Sequence, residues 1–361
     1  LKIYILFFLI VFSLFSCKED KDITPTEKPH PSLSVIDTFK NTLSEMQFFY
    51  GEIKNLQPTD NVVAYELLTP LFSDYAEKAR FIYFPKDSKA TYTTTGVLDF
   101  PEGCVIIKNF YFFQDFRDKT KNKRIYETRL LLKRSNKWLV ASYIWNTTQT
   151  EAYLNENVDG TTVPISWIDK FGISKSTDYY IPSSTDCIKC HESSGDIVPI
   201  GPKVRNINRD NIYKGVQANQ LDYLSQRGFL EGMPTVGIIP KIAAYDNPAT
   251  GSLELRARSY LDINCGHCHN TNGIASTSGL LLDFEALRSE IGICKIADRS
   301  VGSGLLYDII PRNADSSLMV YRMHSNAEIS RMPSIGRSIV HQEGIDLIRE
   351  WIGSLDDPNC R

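Results

Sequence analysis

The chain has 361 residues, 42% of them hydrophobic and 23% charged, with a formal net charge of −3 at pH 7. That balance is ordinary for a globular protein, and the length allows two or three domains. It excludes a protein that grips nucleic acid through a basic stripe, and no solenoid-length repeat or low-complexity tract organises the sequence.

At the start, Lys2 is followed by an almost unbroken apolar run from Ile3 to Phe15. The run is too short for a membrane-spanning helix and has the make-up of a secretory signal, which predicts a signal peptide over 1–16. It ends in Leu14-Phe15-Ser16-Cys17, which resembles the lipobox of bacterial lipoproteins. The resemblance implies cleavage before Cys17, diacylglycerol on its thiol and a lipid anchor in a membrane. Lys18 stands where an aspartate would retain many lipoproteins in the inner membrane, so the outer membrane is implied. Lys18-Glu19-Asp20 is similar to the surface-export signal of Bacteroidetes lipoproteins, which leaves both the periplasmic face and the cell surface open. Residues 17–37 are polar and contain proline, and read as a flexible tether.

Residues 38–180 change character. Arg80-Phe81-Ile82-Tyr83-Phe84, Cys104-Val105-Ile106-Ile107-Lys108, Arg129-Leu130-Leu131-Leu132 and Trp138-Leu139-Val140 are short, aromatic and β-branched runs between Gly, Pro, Asn and Asp. Alternation is clearest at Ala141-Ser142-Tyr143-Ile144-Trp145. This predicts a mainly antiparallel β domain, a sandwich or partial barrel. Asp74, Lys78, Arg80, Glu127 and Arg129 are read as strand-end ion pairs, with a site facing the cysteine motif at 187–191 as the alternative.

Four of the eight cysteines fall in two copies of one pattern, Cys187-Ile188-Lys189-Cys190-His191 and Cys265-Gly266-His267-Cys268-His269. C-x-x-C-H is the attachment signature of c-type haem. Two thiols at this spacing reach the two vinyl groups of one haem, and the following histidine offers its imidazole to the iron. Two copies behind an export signal predict two covalently bound haems c. Zinc is the alternative, but 74 residues separate Cys190 from Cys265, far beyond a knuckle separation. Thioredoxin-type disulfides lack a βαβ context.

The segment 181–248 carries the first motif, a helical stretch expected from Asn211 to Gln226, and Met233-Pro234 as a weak candidate for the sixth iron ligand, 42 residues after His191. The segment 249–361 is expected to be a cytochrome c-like domain. Leu253–Ile263 has helical apolar spacing before the motif, and 344–352 is an amphipathic helix that closes the chain. Met332, 63 residues after His269 and followed by proline, is the expected sixth ligand, with Met323 its main competitor and His324 and His341 rarer ones. Cys104, Cys294 and Cys360 remain. Cys294 and Cys360 share the second haem segment and are expected to form a disulfide, leaving Cys104 a buried free thiol.

Tyr65-Glu66-Leu67-Leu68-Thr69-Pro70-Leu71-Phe72-Ser73-Asp74, Lys78-Ala79-Arg80-Phe81, Phe100-Pro101-Glu102-Gly103 with Lys108, Glu127-Thr128-Arg129-Leu130-Leu131 and Tyr143-Ile144-Trp145-Asn146 resemble, in that order, an uncharacterised family of exported dihaem cytochromes of Proteobacteria and Bacteroidetes. Cys104 departs from that pattern, where a threonine is usual. Members often occur beside a parallel β-helix protein, so the resemblance implies redox partner proteins of the envelope, that one among them. The fold expected is therefore multidomain, an antiparallel β domain followed by mainly α cytochrome c-like haem domains. The function expected is electron transfer at the envelope rather than catalysis. A haem-dependent redox enzyme (peroxidase- or oxidase-like, with one open haem) or a surface ligand-binding protein with a redox module is the alternative.

Overall fold

Six β-rich runs succeed one another in chain order across one antiparallel sheet: β1 (Val62–Tyr65), β2 (Glu77–Tyr83), β3 (Val105–Phe113), β4 (Lys123–Arg134), β5 (Lys137–Trp145) and β6 (Ala152–Leu154). Aromatic and β-branched residues fit this pleated surface, and Ser135-Asn136, both at positive φ, make the tight turn from β4 to β5. The computed structural model describes residues 37–356. The expected signal peptide, the lipidation site Cys17, the tether as far as residue 36, and Cys360 lie outside the described residues.

The pleat sorts side chains onto two faces. On one, Phe81, Tyr83, Val105, Ile107, Leu130, Leu132 and Tyr143 form an apolar core with Leu43, Met46 and Phe48. On the other, Ile82, Ile106 and Leu131 pack at one end with Val204, Ile207, Leu221 and Leu224. At its opposite end Phe110 and Phe112 pack under a hairpin of β7 (Thr161–Ile168) and β8 (Ser174–Ile181), through Ile165, Trp167 and Tyr179. Between these two patches the sheet carries charges.

Six α-helices occur among the described residues: α1 (Ser184–His191), α2 (Val204–Ile207), α3 (Gln220–Gln226), α4 (Leu253–Asn264), α5 (Leu318–His324) and α6 (Gln342–Ser354). Ser252 caps α4 by accepting from the Leu255 amide. The apolar stripe of α6, through Ile345, Ile348, Trp351 and Ile352, packs with Ala257, Tyr260 and Leu261 of α4. A side chain at Gly344 would run into the Tyr260 ring, so glycine sets how closely α6 approaches α4.

The expectation of mainly α, cytochrome c-like haem domains after the β region is corrected. The protein is mostly antiparallel β, with several small two-stranded sheets, and its longest described helix has 13 residues. The β region itself is an open six-stranded meander rather than a sandwich or barrel. The stretch Asn211–Gln226 shows why helical content was overestimated. Its first part is a hairpin, Asp210–Tyr213 against Val216–Asn219, and only Gln220–Gln226 is helical. Lys214 and Gly215, with φ of 50° and 83°, form the turn, and Ile212, Tyr213 and Val216 favour strand. Nor does the first motif's segment keep a core of its own. It shares one with the sheet, and Leu230–Glu231 pairs in parallel with Ala90–Thr91. Among the described residues no helix is long and apolar enough to cross a membrane.

Candidate functional site

A capping box starts α1. Ser183 Oγ accepts from the Asp186 amide at 3.2 Å, and the Asp186 carboxylate accepts from the Ser183 amide at 3.3 Å. Helical spacing then puts Cys187 and Cys190 on one face, one turn apart, with His191 at the helix end. A small hairpin, Glu192–Ser193 with Asp196–Ile197, turns the chain back over His191. The Val198 amide bonds to the His191 carbonyl at 2.7 Å, and His191 Nδ1 lies 2.7 Å from the Val198 carbonyl oxygen. A carbonyl only accepts, so Nδ1 carries the proton and Nε2 keeps its lone pair.

The second motif begins where α4 ends. The Cys265 amide bonds to Leu261 O, and the amides of Cys268 and His269 both bond to Cys265 O, so the helical path continues for one more turn. Gly266 is required there, because a Cβ would meet Asp262 O and the Asp283 backbone at 2.8 Å. His269 Nδ1 lies 3.3 Å from Ser278 Oγ, which itself donates to Ala275 O at 2.7 Å. Ser278 Oγ therefore accepts from Nδ1, and the Leu280 backbone also hydrogen-bonds the His269 ring. By different partners, both histidines are held through Nδ1.

The fold brings the two motifs together. The Ser194 amide donates to Asn272 O at 3.0 Å, and Ser193 bridges Gly273. One cavity is lined by Cys187, Cys190, His191 and, from the second motif, His267. Cys187, Cys190, Cys265 and Cys268 are all free thiols. Burial, and for Cys190 and Cys265 the neighbouring Cys268, pushes Cys190 and Cys265 up to about 12, and burial pushes Cys268 to about 11. They are protonated at neutral pH, and among the described residues no group of three or more His, Cys, Asp or Glu converges to hold a bare metal ion. Paired thiols one helical turn apart, followed by a histidine held through Nδ1, fit a haem held by two thioethers and one axial imidazole.

The charged middle of the sheet faces the first motif. Arg80, Lys108 and Arg129 stand on β2, β3 and β4 in direct cross-strand register, and all three line the cavity. Arg80 donates through Nη1 to Glu66 at 3.0 Å, while its buried Nε has no partner. Arg129 holds Glu127 with two bonds of 2.6 and 2.7 Å and lies over the Phe110 ring. Burial disfavours the Arg129 charge, but Glu127 outweighs it and its pKa is raised. Lys108 also lies over Phe110 and forms no salt bridge among the described residues, and burial with the neighbouring Arg80 and Arg129 charges drives its pKa well down. Arg129 does pair with Glu127 and Arg80 pairs with Glu66, but both arginines lie in mid-strand rather than at strand ends, and they are also cavity wall. No local pattern in the sequence marks Lys108 as part of this group, because only strand register sets it beside the two arginines.

The remaining expected residues lie as follows. Met332 is partly buried, and the loop after it, through Pro333, Ile335, Gly336 and Arg337, lines the cavity at the first motif. Arg337 fixes that loop by donating to the carbonyls of Met332, Met323 and Ser325. Met233 packs against the apolar cluster of Leu221, Leu230 and Ile239. Met323 is buried in the core shared by α4 and α6. Both nitrogens of His341 face tyrosine hydroxyls, Tyr260 at 3.0 Å and Tyr245 at 3.3 Å, and its ring stacks on Phe72. Cys104 is a buried free thiol, and Cys294 is disulfide-bonded. No protein-family model, curated protein or solved structure matches the chain.

Proposed function

We propose that this protein is a dihaem c-type cytochrome that passes electrons at the cell envelope, anchored through lipidated Cys17 to the outer membrane. The observation that carries this is the meeting of two C-x-x-C-H motifs, distant in the chain, across the contact of Ser193–Ser194 with Asn272–Gly273. Electron exchange falls steeply with separation, so adjacent centres are what a transfer protein needs.

Cys187, Cys190 and His191 would hold one haem, and Cys265, Cys268 and His269 the other. Each haem, when bound, supplies a one-electron iron couple. The Val198 carbonyl and Ser278 Oγ hold the two imidazoles through Nδ1. Leu67, Leu71, Phe72 and Ile106 line the cavity at the first motif as an apolar wall, and the cations beside them would offset negative charge there. Met332 is the proposed sixth ligand of the second iron.

Exported and matured protein is expected to keep two haems per chain after denaturation, read by intact mass and the pyridine haemochrome spectrum. Replacing Cys187 and Cys190 by alanine should leave one. A bare polypeptide mass overturns the proposal. Met332→His should lower one haem potential, and reading both haems separately shows which iron Met332 serves.

A second reading, a haem-dependent redox enzyme, is favoured by Met233, partly buried, packing against the apolar cluster instead. The first iron would then lack that thioether and stay open to substrate. Resonance Raman separates the two: two six-coordinate low-spin haems support transfer, and one high-spin haem supports catalysis.

A further inference from the structure

Three cations in a row on adjacent strands are unusual, because like charges at directly opposed positions repel and a buried charge needs a counter-charge. Two carboxylates answer the row of Arg80, Lys108 and Arg129, namely Glu66 and Glu127. Of these, Glu66 is 40% exposed and sits at the margin. Lys108 is left over, and so is Arg80 Nε, on a side chain only 5% exposed. From the facing wall Arg337 adds a fourth cation, which donates to backbone carbonyls and to the neutral amide of Asn326, while buried Asp74, its nearby counter-charge, accepts from the Ser338 and Ile339 amides. Asp186 also lines the cavity, but Lys189, Tyr180 and Ser183 already occupy it. Cationic side chains thus stand on two sides of one cavity, whose other walls are the apolar side chains of Leu67, Leu71, Phe72, Ile106 and Ile200.

We propose that Arg80, Lys108 and Arg129 form a binding site for the carboxylates of an amphiphilic or small organic anion lodged beside the first attachment motif. Guanidinium groups match carboxylates two bonds at a time, and Lys108, whose charge burial and the flanking arginines disfavour in the empty site, is the group that an arriving anion would bring to its ammonium form between them. Two sources share this chemistry. One is the propionate pair of a haem on Cys187 and Cys190, a case resting on the haem assignment proposed above. The other is a free organic carboxylate taken up as substrate or effector.

Lys108→Met is the variant of choice, since it keeps the stem and removes the unpartnered amine, with Lys108→Arg as the rescue. In the matured protein, propionate binding predicts that Lys108→Met lowers the potential of the first haem alone, and that Lys108→Arg restores it. Free-carboxylate binding predicts saturable heat on titration with succinate, weakened about tenfold or more in Lys108→Met, corresponding to about 1.4 kcal/mol. Titrating the Cys187→Ala, Cys190→Ala double variant as well tells the sources apart: succinate binding in both the matured protein and the double variant marks a free-ligand site, whereas binding that appears only once the first haem is removed marks a site that propionates had filled. If the chain carries no haem at all, the haem assignment fails by mass, and the succinate titration still decides this proposal. An unchanged first-haem potential together with no Lys108-dependent succinate binding overturns it.

Discussion

The two faces of the central sheet are built from the same strands and solve burial in opposite ways. Leu130 and Arg129 are neighbours on β4. Leu130 enters an apolar core with Phe81, Ile107 and Tyr143, while Arg129 enters a charged band with Arg80 and Lys108. The apolar face holds by contact and exclusion of water, which tolerates any well-shaped hydrophobe. The charged face leans on two ion pairs, Arg80–Glu66 and Arg129–Glu127, and is fragile where either is broken. A fold that needed only stability would have used the first solution twice. The charged face is the one that lines the cavity with Cys187 of α1.

The largest effect should come from breaking a charged pair on that face. Glu127 is fully buried and accepts from Arg129 and from the Tyr179 hydroxyl at 2.5 Å. Glu127→Ala strands both donors, and chemical denaturation should show a loss of about 3–5 kcal/mol. A loss under about 1 kcal/mol would mean that water already reaches the pair and that the two faces differ less than their geometry implies.

On the apolar face, Leu130→Ala should cost about 2–5 kcal/mol by opening a cavity, with no change in the response to salt. Denaturation at low and high ionic strength sharpens the contrast, since only the charged face should respond.

Lys78 gives the smallest and most diagnostic effect. Burial, helped by the Arg80 and Arg129 charges and opposed by Glu77 and Asp74, lowers its pKa from 10.5 to about 7. The unfolded chain then binds more protons than the folded one between those values, so stability should rise with pH across that window. Lys78→Met should flatten the rise in thermal midpoint from pH 7 to pH 10, and an unaltered profile would show that Lys78 stays charged in the fold.

Several parts of this protein could be read from local pattern. The strands containing Arg80–Tyr83 and Ala141–Trp145, and the helix from Leu253, announce themselves by alternation or helical spacing. The two C-x-x-C-H motifs are equally local, because thioether attachment and axial ligation need residues within one turn of each other. The mainly α haem domains failed for a related reason. Helical spacing in short patches does not carry across segments rich in Gly, Asn, Ser and Pro, where turns such as Lys214-Gly215 win.

By itself, then, the sequence determined which chemistry the chain carries: paired thiols, each pair with its histidine, and strands able to make a sheet. Tertiary structure alone decided who meets whom. Strand register aligned Arg80, Lys108 and Arg129 across β2, β3 and β4. Loop packing at Ser193 and Gly273 set the two motifs side by side. Both depend on contacts between residues far apart in the chain, whose energies are summed over a whole core, and no window of sequence contains that sum.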